Sequence, residues 1–399
     1  MHLTPEEQAL LSGSAGPAAQ KAMRILETLG RIYNAPRMLP VRSVQISGVS
    51  YDNLGEAGLE WLSEMAVGGG QTQVLTTLNP AGMDIENYTD LGISEEFAVN
   101  QRRVLAAFEA MGVITTCSCT PYLFGNLPRF GEHIAWAESS AVCFANAVLG
   151  ARTNREGGPS ALAAALTGRT PAYGYHLEEN RSPTVHVHLE GDIKNNSDFG
   201  ALGKVIGDHI QANALGRVPY ITGIDQASLE NLKSFCASIA TFGGVALFHI
   251  PGITPEAKRY DPPKETMSIT RSDIQGALHA LNNAAPDEVD FVSLGCPHLS
   301  IKEIQHIAQL LSGKQVTKEF WITTSRPVKG MADRMGYTAI IEAAGVKFAT
   351  DTCCVVAPIK GRFHALATDS AKACYYGFAK NGFKTRLLPF DEVVLEATQ

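Results

Sequence analysis

Three apolar runs in this 399-residue chain each end beside cysteine. Val289-Asp290-Phe291-Val292-Ser293-Leu294 leads through Gly295 to Cys296, Pro297 and His298. Val113-Ile114-Thr115-Thr116 leads to Cys117, Cys119 and Pro121, and Val346-Lys347-Phe348-Ala349-Thr350-Asp351 leads to Cys353, Cys354 and Pro358. Thiolates are soft ligands, suited to iron–sulfur clusters and to zinc. A redox cluster usually takes four cysteines; a catalytic cluster with three leaves one iron open as a Lewis acid for a hydroxyl leaving group. Three strand-end thiols match the second arrangement. The doublets Cys117/Cys119 and Cys353/Cys354 leave the exact ligands open. The competing reading is three unrelated core cysteines, since free cysteine packs well as a small apolar residue.

Other groups at strand ends could meet a substrate. Gly48-Val49-Ser50 and Asn79-Pro80 can present backbone N–H groups and a hydroxyl, although turns use these residue types in any case. Arg152 and Arg155, next to Gly157-Gly158, could grip a carboxylate or phosphate through bidentate pairs, or sit in a solvated loop. Glu138 precedes two serines in an apolar stretch. A carboxylate buried there needs partners, which makes it a hydrogen-bond centre or a general base. Lys372 follows the basic segment Lys360-Gly361-Arg362 and suits an anion site or a helix start. His186 and His188 share one face of an alternating strand, where a solvated surface is the plainer reading than a metal site. No stretch matches GxxxxGK[ST], and no GxGxxG joins a strand to a helix, so nucleotide and dinucleotide sites are not expected.

The elements that must carry these groups alternate. Helical spacing runs over 20–33, 54–66, 95–111, 301–311 and 331–344, while 138–149, rich in Ala and Ser, reads as a closely packed interior stretch, interrupted by 152–160 before 161–166. Strand patterns run over 41–49, 73–78, 113–116, 184–189, 245–250, 289–294, 320–324 and 346–351. Such alternation predicts an α/β protein with mainly parallel sheets, whose ligands bind beyond the carboxyl ends of strands. Thr4-Pro5-Glu6-Glu7 reads as a capping box that opens a first helix. Weakly marked domain breaks are expected near 120–135 and 230–245.

The chain is 45% hydrophobic and 18% charged, enough for a large core, and its net charge of −7 argues against a general nucleic-acid binder. Eight cysteines in a chain of this length point to metal or catalysis rather than a secreted disulfide framework. No apolar run approaches the roughly 20 residues that span a bilayer. A cytoplasmic enzyme without a membrane partner is expected.

Several segments taken together resemble the aconitase X family. They are Gly48-Val49-Ser50-Tyr51, Thr77 to Gly82, Cys119-Thr120-Pro121-Tyr122, Ala135 to Val142, Gly150 to Ser160, Gly295-Cys296-Pro297-His298, and Asp351-Thr352-Cys353 through Lys372. The resemblance covers nearly the whole chain in order. It implies aconitase-like catalytic lobes and an iron–sulfur hydro-lyase. Cys119, Cys296 and Cys353 would hold the cluster, a 4Fe-4S form first among those compatible with three thiolates. Gly48, Val49, Ser50, Asn79, Pro80, Glu138, Ser139 and Lys372 would line the substrate site, with Glu138 and Ser139 catalytic. The implied reaction is dehydration of (R)-5-phosphomevalonate to trans-anhydromevalonate 5-phosphate, in an archaeal-type mevalonate route to isoprenoids. Other family members dehydrate cis-3-hydroxy-L-proline. The swivel domain that closes such sites has no counterpart here, so the resemblance implies a separate small subunit that supplies it in a heterodimer. The general base is Glu138 or a serine of that subunit. A non-catalytic scaffold that binds zinc or no metal is the reading from another class.

Overall fold

A computed structural model describes residues 1–213 and 217–398. Thr4 caps the first helix, Pro5–Ser12, as its capping box predicts, with the Thr4 N–H donating to Glu7 Oε2 at 2.9 Å. Short strands β1 (Met38–Pro40) and β5 (Arg169–Pro171) pair antiparallel. Between them lies the first parallel sheet: β2 (Ser43–Ile46) is flanked by β3 (Leu75–Leu78) on one side and β4 (Ala135–Trp136) on the other. All four residues of β2 are buried, as expected where helices cover both faces of a parallel sheet. Helices Pro17–Ile32, Tyr51–Val67, Glu95–Ala110 and Gly158–Thr167 provide that cover. In Gly158–Thr167 the run of alanines is buried on every side, which lets neighbouring backbones approach closely.

A second parallel sheet has β6 (Val185–Glu190) at its centre, between β7 (Pro219–Thr222) and β8 (Thr266–Thr270). Helices Asn196–Ala212 and Leu229–Gly243 pack together against it. The third sheet is parallel throughout and holds β9 (Phe291–Leu294), β10 (Glu319–Thr324), β11 (Lys347–Thr350), β12 (Ala365–Thr368) and β13 (Lys384–Leu387) in the order β11-β10-β9-β12-β13. Mainly parallel α/β lobes are therefore what the chain forms, and no separate swivel-type lobe is evident among the described residues.

Two expected strands are not strands. Val113–Thr116 makes one bridge, Ile114 to Thr77, because the backbone turns back at Thr116 and Cys117 adopts φ +44°. Val245–Ile250 is deeply buried but bridges only through His249 to Tyr220, so burial without a ladder produced its apolar run. The helix expected over 331–344 is two helices, Arg326–Arg334 and Tyr337–Ala343, separated at Gly336 with φ +74°. The domain breaks near 120–135 and 230–245 are also displaced. β4 follows the first of them yet pairs with β2, and the second falls inside helix Leu229–Gly243. The sheets separate between β5 and β6 and between β8 and β9 instead.

The strand orders fix where a site can form. In the first sheet the chain leaves β2 toward β3 and later returns on the other side as β4. In the third it runs β9, β10, β11 one way and then β12, β13 the other. Each sheet therefore has a switch point, between β2 and β4 and between β9 and β12, and a crevice opens at the carboxyl ends of such strands.

Candidate active site

One cavity of about 330 Å³ lies where the two switch points face each other. From the first lobe come Ser47 and Gly48 after β2, Asn79 and Pro80 after β3, and Ala137, Glu138 and Ser139 after β4. From the third come Gly295, Cys296 and Pro297 after β9, Cys353 after β11 and Lys372 after β12. Cys119 completes the inner wall from the loop that Ser118 N–H ties to Leu78 O at 2.9 Å. The glycine before Cys296 is required. A Cβ on Gly295 would lie 2.2 Å from Thr323 O, at φ +107°.

Charge in the cavity is arranged around one ion pair. Glu138 caps helix Ser139–Ala147, accepting from Ala141 N at 2.7 Å and from Ser140 Oγ at 2.5 Å. Its other oxygen takes Lys372 Nζ at 2.5 Å and Ser139 Oγ at 3.3 Å. Burial alone would push this carboxyl up, but Lys372, Ser140 and the Ala141 N–H outweigh it and hold Glu138 at about 2. Burial works against the Lys372 ammonium as well, and Glu138 reverses that, so the Lys372 pKa is raised. Lys372 stands in the first turn of helix Ala371–Asn381, capped by Ser370, where a cation opposes the helix dipole. Glu138 offsets that conflict. Both helices point their amino ends at the cavity, a setting that favours anions.

The thiols of Cys119, Cys296 and Cys353 share this cavity, and each is raised by burial, Cys296 to about 12 with Lys372 pulling the other way. Among the described residues no three His, Cys, Asp or Glu side chains could hold a single ion. What the three thiols share is a chamber, and an all-sulfur donor set around a chamber fits a polynuclear iron–sulfur group. Asn79 Oδ1 is buried beside it without a hydrogen-bond partner among the described residues.

Most residues singled out in the sequence converge here, but not all. Val49 is core, its carbonyl accepting from Gln101 Nε2 at 3.0 Å, and Ser50 turns away to donate to Val356 O at 3.2 Å. Neither lines the cavity. Cys117 packs in the first-lobe core and Cys354 in the third-lobe core. Arg155 reaches the cavity, whereas Arg152 pairs with Glu178. Arg362 donates to Leu91 O at 2.6 Å, and His186 and His188 share the Thr222 hydroxyl on the second sheet. Sequence reasoning missed Asn53, Tyr376 and Lys380 on the cavity rim. Lys380 donates to Val356 O at 3.2 Å and pairs with Asp52 at 3.1 Å. It also missed Gln101, whose Oε1 accepts from Tyr51 N and Gly82 N at 3.0 Å each and so pins two of the site's turns. The one available signal was an amide on the apolar stripe Ala98, Gln101, Leu105, Phe108.

Models of three successive domains match the chain: aconitase X first domain over 1–179, second domain over 183–279 and third domain over 289–399. The phosphomevalonate dehydratase large subunit of Methanothermobacter thermautotrophicus is 46% identical over 379 residues, covering 94% of each chain. That of Thermococcus kodakarensis is 44% identical over 401 residues, the full length of both. The cis-3-hydroxy-L-proline dehydratase of Pseudomonas aeruginosa is 34% identical over 93% of this chain but only 65% of its own. Among solved structures, the holo-form of Thermococcus kodakaraensis aconitase X superposes with a TM-score of 0.92 at 44% identity and covers all of both chains.

Proposed function

The chain belongs to the aconitase X family, and on that premise we propose that it is the large, cluster-bearing subunit of a hydro-lyase acting on (R)-5-phosphomevalonate. The product is trans-anhydromevalonate 5-phosphate. The observation that carries this reading is the single cavity in which three thiols from two lobes face the Glu138–Lys372 pair. The full-length match to large subunits favours this substrate over cis-3-hydroxy-L-proline, and the dehydratase names of these relatives favour an enzyme over a scaffold.

Cys119, Cys296 and Cys353 would hold the cluster, in its 4Fe-4S form. When bound, it supplies a Lewis acid for the departing hydroxyl. The protein's own groups do the rest. The substrate has an anion at each end, and the cavity rim offers two cations, Arg155 and Lys380. Arg155 has no carboxylate partner among the described residues, so its planar fork is available. The proton to be removed lies beside the substrate carboxylate and becomes acidic only when that charge is neutralised; Arg155, the Gly48 backbone and two helix amino ends face that need. Lys372, kept charged by Glu138, contacts substrate oxygen together with Ser139. Glu138 near 2 and engaged by four donors is a weak base in this state. The base is therefore assigned to the swivel-domain small subunit, which also closes the cavity.

The test is anaerobic co-production with a swivel-domain small subunit, followed by assay on (R)-5-phosphomevalonate. Product that disappears in Cys296→Ala supports the reading. Turnover of cis-3-hydroxy-L-proline alone keeps the family and moves the substrate. No cluster after iron and sulfide reconstitution, and no turnover of either compound, defeats it.

A further inference from the structure

His298 is fully buried, lies outside the cavity wall, and has no part in the reaction as proposed. Its ring is nonetheless bonded at both nitrogens. Nε2 stands 2.9 Å from Thr352 O. A carbonyl oxygen only accepts, so Nε2 carries the proton, and the bare Nδ1 accepts from Ser118 Oγ at 3.0 Å. The Ser118 oxygen is held in turn by the Thr120 N–H at 3.3 Å and the Thr120 hydroxyl at 3.2 Å. The main-chain N–H of His298 donates to Cys119 Sγ at 3.3 Å. Ser118 immediately precedes Cys119, Thr352 immediately precedes Cys353, and His298 follows Cys296 by two residues. One imidazole thus ties together three loops drawn from two lobes, each of which carries one cavity thiol.

We propose that His298 is the positioning residue of the cysteine triad: it sets the mutual spacing of the loops bearing Cys119, Cys296 and Cys353, and its N–H polarises the Cys119 sulfur, so that the three sulfurs are preformed for a cluster. The inference rests on the cluster-bearing role argued above. A histidine that merely fills core would not need both ring nitrogens and its amide aimed at the two cysteine loops other than its own. Partners of this kind, which orient ligands without touching metal, typically change metal affinity by roughly 10–100-fold when removed.

Three variants test this: His298→Ala, His298→Gln and Ser118→Ala. One readout is iron and sulfide per chain after anaerobic reconstitution, with the rate of iron loss to a chelator. The second needs no cluster: alkylation rates of each cysteine in the cluster-free chain, with core Cys236 as control. His298→Ala is expected to lose iron about tenfold faster or more, and to expose Cys119 and Cys353 to alkylation while Cys236 stays protected. Ser118→Ala moves the same way by less. Glutamine can donate to Thr352 O and accept from Ser118, so His298→Gln stays near the parent. Iron retention and alkylation at parental rates in both alanine variants would overturn the proposal. If His298→Ala unfolds, Cys236 reacts too, and the ordering of parent, His298→Gln and Ser118→Ala decides. A parent chain that takes up no cluster would sink the functional reading, whereas the alkylation contrast would still judge His298.

Discussion

Glu156 stands beside Arg155 but is buried, with Oε2 accepting from Ser160 Oγ at 2.6 Å and Oε1 unpartnered among the described residues. Burial pushes its carboxyl up to about 7 from an ordinary 4.5, against smaller pulls from Ser160 and Thr170. The folded chain therefore keeps a proton that the unfolded chain releases over that interval. Stability held by the neutral form is complete below about 4.5 and is lost as pH rises through about 7, an effect of roughly 3 kcal/mol. Glu156→Gln is expected to gain on the parent between pH 5 and pH 8 by up to that amount, as read by urea unfolding at both values; an unchanged difference would refute the assignment. The neighbouring Arg155 makes a different prediction. Arg155→Gln and Lys380→Gln are each expected to raise KM for the phosphorylated acid by about tenfold or more, the loss of one charge-assisted contact. Stability should be unaffected in Arg155→Gln, whereas Lys380→Gln also gives up its pair with Asp52, worth about 1 kcal/mol at most. Parental KM values in both would remove these residues from the substrate site.

Two helices meet backbone to backbone in the second lobe, where Asn196–Ala212 and Leu229–Gly243 cross. A Cβ on Gly207 would lie 2.6 Å from Gly243 N, and one on Gly203 would lie 2.7 Å from Ser238 Cβ. Backbone cannot yield as a flexible side chain can, so Gly207→Ala is expected to destabilise by about 1–3 kcal/mol despite alanine's better helix propensity. A rise in the unfolding midpoint would contradict this. At the same scale the sequence was partly legible. A parallel strand such as β9 announces itself as a short apolar run, and Thr4-Glu7 marks its helix by capping chemistry. Val245–Ile250 misled because a buried coil and a buried strand have the same composition; periodicity reports burial, not hydrogen-bond partners.

Across the whole molecule, Arg326 ties the third lobe to the first. It pairs with Asp84 at 3.0 Å, with Glu86 at 2.9 Å and with Asp351, while Asp84 Oδ2 accepts from Thr350 N at 2.9 Å. Arg326 is about one-third exposed, which discounts its worth, so Arg326→Ala is expected to cost about 2 kcal/mol and to lower cluster retention. Loss of neither would show that the lobes hold together without it. The site as a whole was visible as strand-end cysteines and turns. Which member of each cysteine doublet faces the cavity was not visible from spacing, because Cys117 and Cys119 differ by a backbone turn at φ +44°. Nor was Lys380, a lysine on a helix face like any other. The two-lobe origin of the cavity also bears on how the protein is made. Cys119 emerges from the ribosome early, and Cys353 follows 234 residues later. At ordinary elongation rates that is an interval on the order of ten to fifty seconds. The early thiol waits through the synthesis of an entire intervening lobe with no mate, so the three-thiol chamber cannot close until the third lobe has been made.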